Sequence, residues 1–116
     1  MLYIDFAVGE KNYKLRLATR NIVALEKAIG CNPLSIFGSG EELPPVTTMV
    51  NILFHSLQKF QHGIGLTDAY DIFDEYLNDH ILSDFVPVIL DIYKVSGIIK
   101  NDKGVEAEEK NVVAEE

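Results

Sequence analysis

The chain has 116 residues, of which 47% are hydrophobic and 24% charged, and its formal net charge is −8. This length and balance suit one folded domain with a single core, and they exclude a fully disordered chain. The negative charge repels phosphate backbones and anionic lipid surfaces, so we expect neither nucleic acid nor a membrane as a partner.

The first two elements in chain order predict a β-hairpin. Residues 2–8 are rich in strand formers, and residues 9–12 (Gly-Glu-Lys-Asn) supply a turn. Residues 13–17 then alternate apolar and basic side chains, as a half-buried strand does. Because an isolated hairpin is marginal in water, we expect it to pack on the helices that follow.

A first helix and a short helical turn follow the hairpin. Thr19 is the predicted N-cap of the helix, because its hydroxyl can accept a hydrogen bond from a free amide of the first turn. Gly30 is placed to end the helix in the left-handed conformation. The Asn32-Pro33 pair predicts a cap and the start of a short helical turn, and residues 38–42 predict a flexible polar loop.

The second helix is predicted over residues 47–61, after a pair of prolines that opens it. At about 100° per residue, His55, Lys59 and His62 point away from the apolar face of this helix. That face comprises Val46, Met49, Val50, Leu53, Leu57 and Phe60.

The third helix is predicted over residues 68–78, with Thr67 as its N-cap. Its apolar face comprises Ala69, Tyr70, Ile72, Phe73, Tyr76 and Leu77. Its other face comprises Asp68, Asp71, Asp74, Glu75 and Asp79, with no basic residue among them.

The fourth helix is predicted to start at Ser83 or Asp84. Pro87 fits only in or near its first turn, because further along it would break the hydrogen-bond ladder. Over residues 85–95 the apolar side chains cover more than half of the circumference. Such a helix either lies at the centre of a core or is covered by a partner.

The predicted fold class is α+β, mainly α, with an N-terminal β-hairpin packed on a small bundle of about four helices. Residues 1–99 are predicted to form a single globular domain, and residues 100–116 a flexible, disordered acidic tail. Residues 101–116 carry six acids and two lysines, a net charge of −4, which is half of the total excess.

No pattern in the sequence predicts a catalytic, cofactor-binding or metal-binding residue. His55 and His62 share one helix, but a zinc site needs about three or four ligands. The others would have to come from His80, Cys31 or distant acids, so we expect solvated surface histidines. Cys31 lacks the local signature of a nucleophile and is predicted to be a packed or half-exposed structural thiol.

The acids of the third helix do not predict a calcium site. They lie at helical spacing and not in a glycine-containing loop of the EF-hand kind, so we expect a solvated face. Contact with a basic partner is the alternative. We therefore expect no enzyme active site and no cofactor.

The expected location is the cytoplasm. Cys31 is the only cysteine, so the fold does not depend on an oxidising compartment. The N-terminus lacks the basic start and the long apolar run of a signal peptide. The apolar stretch at residues 85–99 contains two charges and is too short to span a bilayer.

Apolar content is the most informative positive signal. The fourth helix and the Leu34-Ile36-Phe37 turn offer more hydrophobic surface than a small bundle obviously needs. Burial of such surface yields about 25 cal/mol per Å², so a patch left uncovered favours association. Packing in the core and a groove for a partner both remain open.

Three blocks of sequence, covering most of residues 3–99, occur in an order that carries a family resemblance. The first block comprises residues 13–20, Ile22, Leu25-Glu26, Ile29-Gly30, Asn32-Pro33-Leu34 and Ile36-Phe37. The second runs from Leu43-Pro44-Pro45-Val46 to His62-Gly63-Ile64, and the third is Ile92-Tyr93 with Ser96-Gly97. With this order of motifs the chain resembles the tail assembly chaperones of long-tailed bacteriophages and related prophages.

The resemblance implies a helper of virion morphogenesis in the cytoplasm of the host bacterium. Proteins of that family coat the long tape measure protein, bring tail tube subunits to it, and are absent from the finished particle. The resemblance implies no catalytic residue. We hypothesise that many copies bind along one client and contact each other as a homo-oligomer.

The alternative hypothesis is a small acidic phage or bacterial adaptor or inhibitor that binds a basic host target. Its binding would depend steeply on salt, because it would rest on charge. The chaperone hypothesis instead predicts apolar contacts with a helical, poorly soluble client.

Overall fold

A β-hairpin followed by four α-helices makes up the described part of the chain. The computed structural model describes residues 2–37 and 43–101. The elements are β1 (Ile4–Val8), β2 (Lys11–Leu15), α1 (Thr19–Ile29), α2 (Val46–Leu57), α3 (Leu66–Tyr76) and α4 (Phe85–Val95). Short 3₁₀ helices span Pro33–Phe37 and Leu82–Asp84. The predicted α+β, mainly helical fold with an N-terminal hairpin is confirmed, while the predicted loop at 38–42 and most of the predicted tail lie outside the described residues.

The hairpin has a tighter turn than the sequence pattern predicted. β1 and β2 are antiparallel, and Val8 pairs directly with Lys11, so only Gly9 and Glu10 form the loop. Gly9 has a φ of 60°, which a two-residue hairpin loop requires and glycine adopts without strain. A Cβ at this position would also overlap the carboxylate of Glu75 on α3.

The outer edge of β2 is bonded to the helices. The backbone N–H of Lys14 donates to Gln61 Oε1 at 2.8 Å, and Gln61 Nε2 donates to the Lys14 carbonyl at 2.9 Å. Two residues further on, the Arg16 N–H donates to the Ser56 carbonyl at 3.0 Å. The amide side chain of Gln61 therefore takes the place of a third strand, and the hairpin is fixed against the C-terminal end of α2.

α2 is the central helix of the fold, because β2, α1, α3 and α4 all pack against it. The core also takes most of the apolar side chains of α4. The buried residues of α2 are Met49, Val50, Ile52, Leu53, His55, Ser56 and Leu57, and those of α4 are Phe85, Ile89, Ile92, Tyr93 and Val95. None of the helices in residues 2–37 and 43–101 combines the length and the apolar character needed to cross a membrane.

Three helical segments begin with the same hydrogen bond, and it differs from the predicted one. The residue before each segment donates its backbone N–H to a side chain three positions later. The pairs are Ala18 with Asn21 at 3.1 Å, Gly65 with Asp68 at 2.8 Å, and Ile81 with Asp84 at 3.1 Å. The predicted caps Thr19 and Thr67 are wrong, because both lie inside the first turn of their helices.

The predicted C-terminal end of the first helix and the predicted N-terminal cap of the short helical turn after it are both confirmed. Gly30 adopts the left-handed conformation, with a φ of 76°, and donates its N–H to the Glu26 carbonyl at 2.8 Å. Asn32 Oδ1 accepts a hydrogen bond from the Leu34 N–H at 2.9 Å and so caps the turn that begins at Pro33.

Candidate functional site

An open groove with acidic walls lies between the hairpin and α3. We call it the acidic groove; it has a volume of about 420 Å³ and is lined by Lys11, Tyr13, Gly63, Ile64, Asp68, Asp71, Ile72 and Glu75. The three carboxylates fall on one stripe of α3, because their spacings of three and four residues follow the helical period. Tyr13, Ile64 and Ile72 add an apolar surface. The combination suits an amphipathic segment that carries basic side chains.

The acidic stripe of α3 is held in place from both ends. Asp68 accepts the Gly65 N–H at the start of the helix, where a negative charge also interacts favourably with the helix dipole. Seven residues later, Glu75 lies against the Gly9 turn of the hairpin. The rim of the groove is therefore built from residues of two packed elements and is not a loose surface.

An exposed apolar pair lies on another side of α3. Leu66 and Tyr70 are 41% and 39% exposed, and their spacing of four residues places them on one flank of the helix. Tyr70 is predicted on the apolar face of α3, but the structure leaves it exposed. That face is complete with Ala69, Ile72, Phe73 and Tyr76, so Tyr70 falls at its margin.

A second groove with the opposite charge lies where β2 meets α1. We call it the basic groove; it has a volume of about 540 Å³ and is lined by Leu2, Arg16, Ala18, Thr19, Lys59 and Phe60. Lys59 lies over the ring of Phe60, 5.6 Å from the ring centroid. The first turn of α1 contributes the positive end of a helix dipole. This groove suits an acidic segment.

The histidines do not come together. His55 is only 9% exposed, and the prediction that it points to solvent is wrong, because neighbouring elements surround α2 on most of its circumference. Burial lowers the pKa of His55, and its ring lies edge-on to Phe54 at 4.8 Å. His62 is exposed, and His80 stacks on the ring of Tyr76 at 4.2 Å.

Cys31 is exposed, so its thiol is not packed in the core. The nearby buried hydroxyl of Tyr93 donates to the Pro33 carbonyl at 2.9 Å. Burial, and then the charge of Cys31, raise the pKa of Tyr93. In the part of the chain that the structure describes, no three His, Cys, Asp or Glu side chains are grouped to hold a metal ion.

Sequence reasoning missed both grooves, although one signal for them is present in the sequence. Residues 11–27 contain five Lys or Arg and one acid, whereas residues 60–93 contain seven acids and no Lys or Arg. The segregation of charge is therefore visible along the chain. The grooves are not, because each is assembled from residues that are distant in sequence.

The fold defines a small, mainly helical α+β protein with two open grooves of opposite charge among the residues that the structure describes. The chain belongs to DUF6096, a family of unknown function whose model matches residues 4–116. No curated protein and no solved structure matches the chain.

Proposed function

We propose that this protein is a bacteriophage tail assembly chaperone that binds the tape measure protein and helps to recruit tail tube subunits in the cytoplasm of the host. The acidic groove is the observation that carries the proposal. It offers apolar contact from Tyr13, Ile64 and Ile72 beside carboxylates that remain exposed to water. The resemblance of the motif order to that family supplies the identity of the client.

The chemistry of such a chaperone is the covering of apolar stripes before assembly. An amphipathic client helix buries its apolar side chains against a complementary groove, while acidic side chains around the contact keep the complex soluble. Leu66 and Tyr70 lie on another side of α3 and outside this groove. The apolar residues of α4 serve the core instead, so α3 is the helix that faces the client.

Co-expression tests the proposal. We expect the tape measure protein to become soluble and to co-purify with this chain, and we expect the double variant Tyr13→Gln, Ile64→Gln to lose both effects. Both side chains line the acidic groove and are only half-buried, so the fully buried core residues are left in place. A tape measure protein that stays insoluble with the wild-type chain, or that co-purifies equally well with the double variant, contradicts this assignment.

A matched control lies on α1. Val23 is 45% exposed on the surface of that helix, so Val23→Gln removes a comparable apolar side chain away from α3. We expect this variant to bind the client as the wild type does. The order of the genes gives an independent check, since the proposal expects a very long coiled-coil gene downstream and a tail tube gene upstream.

A small acidic adaptor or inhibitor of a basic host protein is the second candidate, and the carboxylates of the acidic groove favour it. For this candidate, the affinity for the basic host protein would come mainly from the attraction of opposite charges. Asp71→Asn with Glu75→Gln should then abolish binding, while Glu26→Gln on α1 should not. Binding by the adaptor should also weaken steeply with salt, whereas apolar contacts with a tape measure protein should persist.

A further inference from the structure

The basic groove lies beside the point where α4 ends. The Arg16 guanidinium donates through Nη1 to the Val95 carbonyl at 2.8 Å and to the Leu2 carbonyl at 3.1 Å. The Leu17 N–H donates to Ser96 Oγ at 2.9 Å. These bonds fix the C-terminal end of α4 to the segment that forms one wall of the groove.

The residues that follow are strongly acidic. Residues 102–116 contain six acids and two lysines, a net charge of −4, together with three valines. Asp102 comes six residues after Ser96, which corresponds to at most about 22 Å of extended chain. The acidic segment is therefore tethered close to the basic groove, and tethering raises its effective concentration to the order of millimolar.

We propose that residues 102–116 occupy the basic groove of the same chain. Their carboxylates meet Arg16, Lys59 and the positive end of the α1 dipole, and their valines meet the apolar groups of Leu2 and Phe60. The segment thereby covers the groove against other acidic partners. This proposal does not depend on the chaperone function, since it uses only the basic groove.

Paramagnetic relaxation enhancement in the full chain tests the proposal. A nitroxide label is placed on Asn111→Cys, which spares the acids and valines of the segment, in a Cys31→Ser background, where Cys31 is exposed and can be replaced without disturbing the core. At low salt we expect the amide signals of Thr19, Lys59 and Phe60 to lose intensity. At 1 M salt, where the Debye length is about 3 Å, we expect the intensity to return.

Charge variants distinguish binding at the basic groove from a general attraction of the acidic segment to positive charge. Lys59→Glu should abolish the loss of intensity, and so should Glu106→Gln, Glu108→Gln and Glu109→Gln together, which leave residues 2–101 unchanged. Lys27→Glu is the matched control, because Lys27 is an exposed lysine in the last turn of α1, at the opposite end of that helix from the groove. It should preserve the effect.

Three outcomes would overturn the proposal. The first is full intensity at the groove amides in the wild-type background at low salt. The second is an equal loss of the effect in Lys59→Glu and Lys27→Glu, which would indicate attraction to positive charge in general. The third is broadening of an unlabelled, ¹⁵N-enriched chain by a labelled, unenriched one, which would assign the groove to a second copy.

Discussion

His55 makes the stability of the protein depend on pH. Burial lowers its pKa below the usual value of 6.5, so the folded state favours the neutral imidazole. The unfolded chain binds a proton more readily as the pH falls through about 6.5. Unfolding is therefore favoured on the acid side, and we expect the free energy of unfolding to decrease between about pH 7 and pH 5.

Chemical denaturation at a series of pH values measures this effect. His55→Gln removes the titrating group, so the variant should lose much of the pH dependence in that interval, whatever its absolute stability. His62→Gln, which replaces an exposed histidine beyond the end of α2, is the matched control. Equal slopes for the wild type and His55→Gln would show that His55 titrates freely.

Asp68 is the second residue whose role can be tested alone. Its carboxylate accepts the Gly65 N–H at 2.8 Å, so Asp68→Ala should destabilise the protein by about 1 kcal/mol, the usual net worth of one hydrogen bond. Asp68→Asn keeps an acceptor oxygen and should cost less. Thr67→Ala should have little effect on stability. A larger loss of stability for Thr67→Ala than for Asp68→Ala would show that Thr67 caps the helix.

At the scale of elements, the hairpin depends on one side chain from outside it. Gln61 both accepts from and donates to the backbone of Lys14, and it also donates to the Leu57 carbonyl at 2.7 Å. Gln61→Ala should therefore release the edge of β2 while leaving the four α-helices intact. Hydrogen exchange at the Lys14 amide is the measurement, and we expect faster exchange.

Two companion variants sharpen this test. Gln61→Glu keeps the acceptor for the Lys14 N–H but loses the donor to the Lys14 carbonyl, so its exchange rate should be intermediate. His62→Ala changes the next residue, which is exposed, and should leave the exchange rate unaltered. Unchanged protection of Lys14 in Gln61→Ala would show that the hairpin does not need this contact.

The elements themselves were largely predictable, and the errors have common physical causes. Periodicity predicted every strand and α-helix of the described residues to within a few positions of the observed bounds. Cap assignment failed at α1 and α3, because the acceptor comes from the third residue of the helix and not from the residue before it. His55 was misplaced because periodicity cannot find an outer face on a helix that is covered on most sides.

At the scale of the whole molecule, the sequence predicted the chemistry of the surface better than its shape. The acidic face of α3 was foreseen from its spacing, and all five acids are exposed. The acidic groove was not foreseen, because Lys11 and Tyr13 reach α3 only through the pairing of β1 with β2 and the packing of the hairpin. Tertiary contacts of this kind leave no local pattern.

The concentration of acids on α3 carries a cost in stability, which leads to the last prediction. Asp71 lies three residues from Asp68 and Asp74 and four from Glu75, so it is repelled by three like charges on the same helix. Asp71→Lys turns these three repulsions into attractions of about 0.2–0.5 kcal/mol each. We expect the variant to be more stable than the wild type by about 1–3 kcal/mol at low salt, because each pair loses a repulsion and gains an attraction of similar size.

The same variant should bind its client less well, because Asp71 lines the acidic groove. Denaturation at low and high salt measures the first effect, which should shrink as the charges are screened. Co-purification with the client measures the second. Asp74→Lys is the control, since Asp74 is on α3 but outside the groove lining, and it should stabilise the helix without weakening binding. If Asp71→Lys stabilised the protein and bound the client normally, the acids of α3 would serve solubility alone and the groove would lose its assignment.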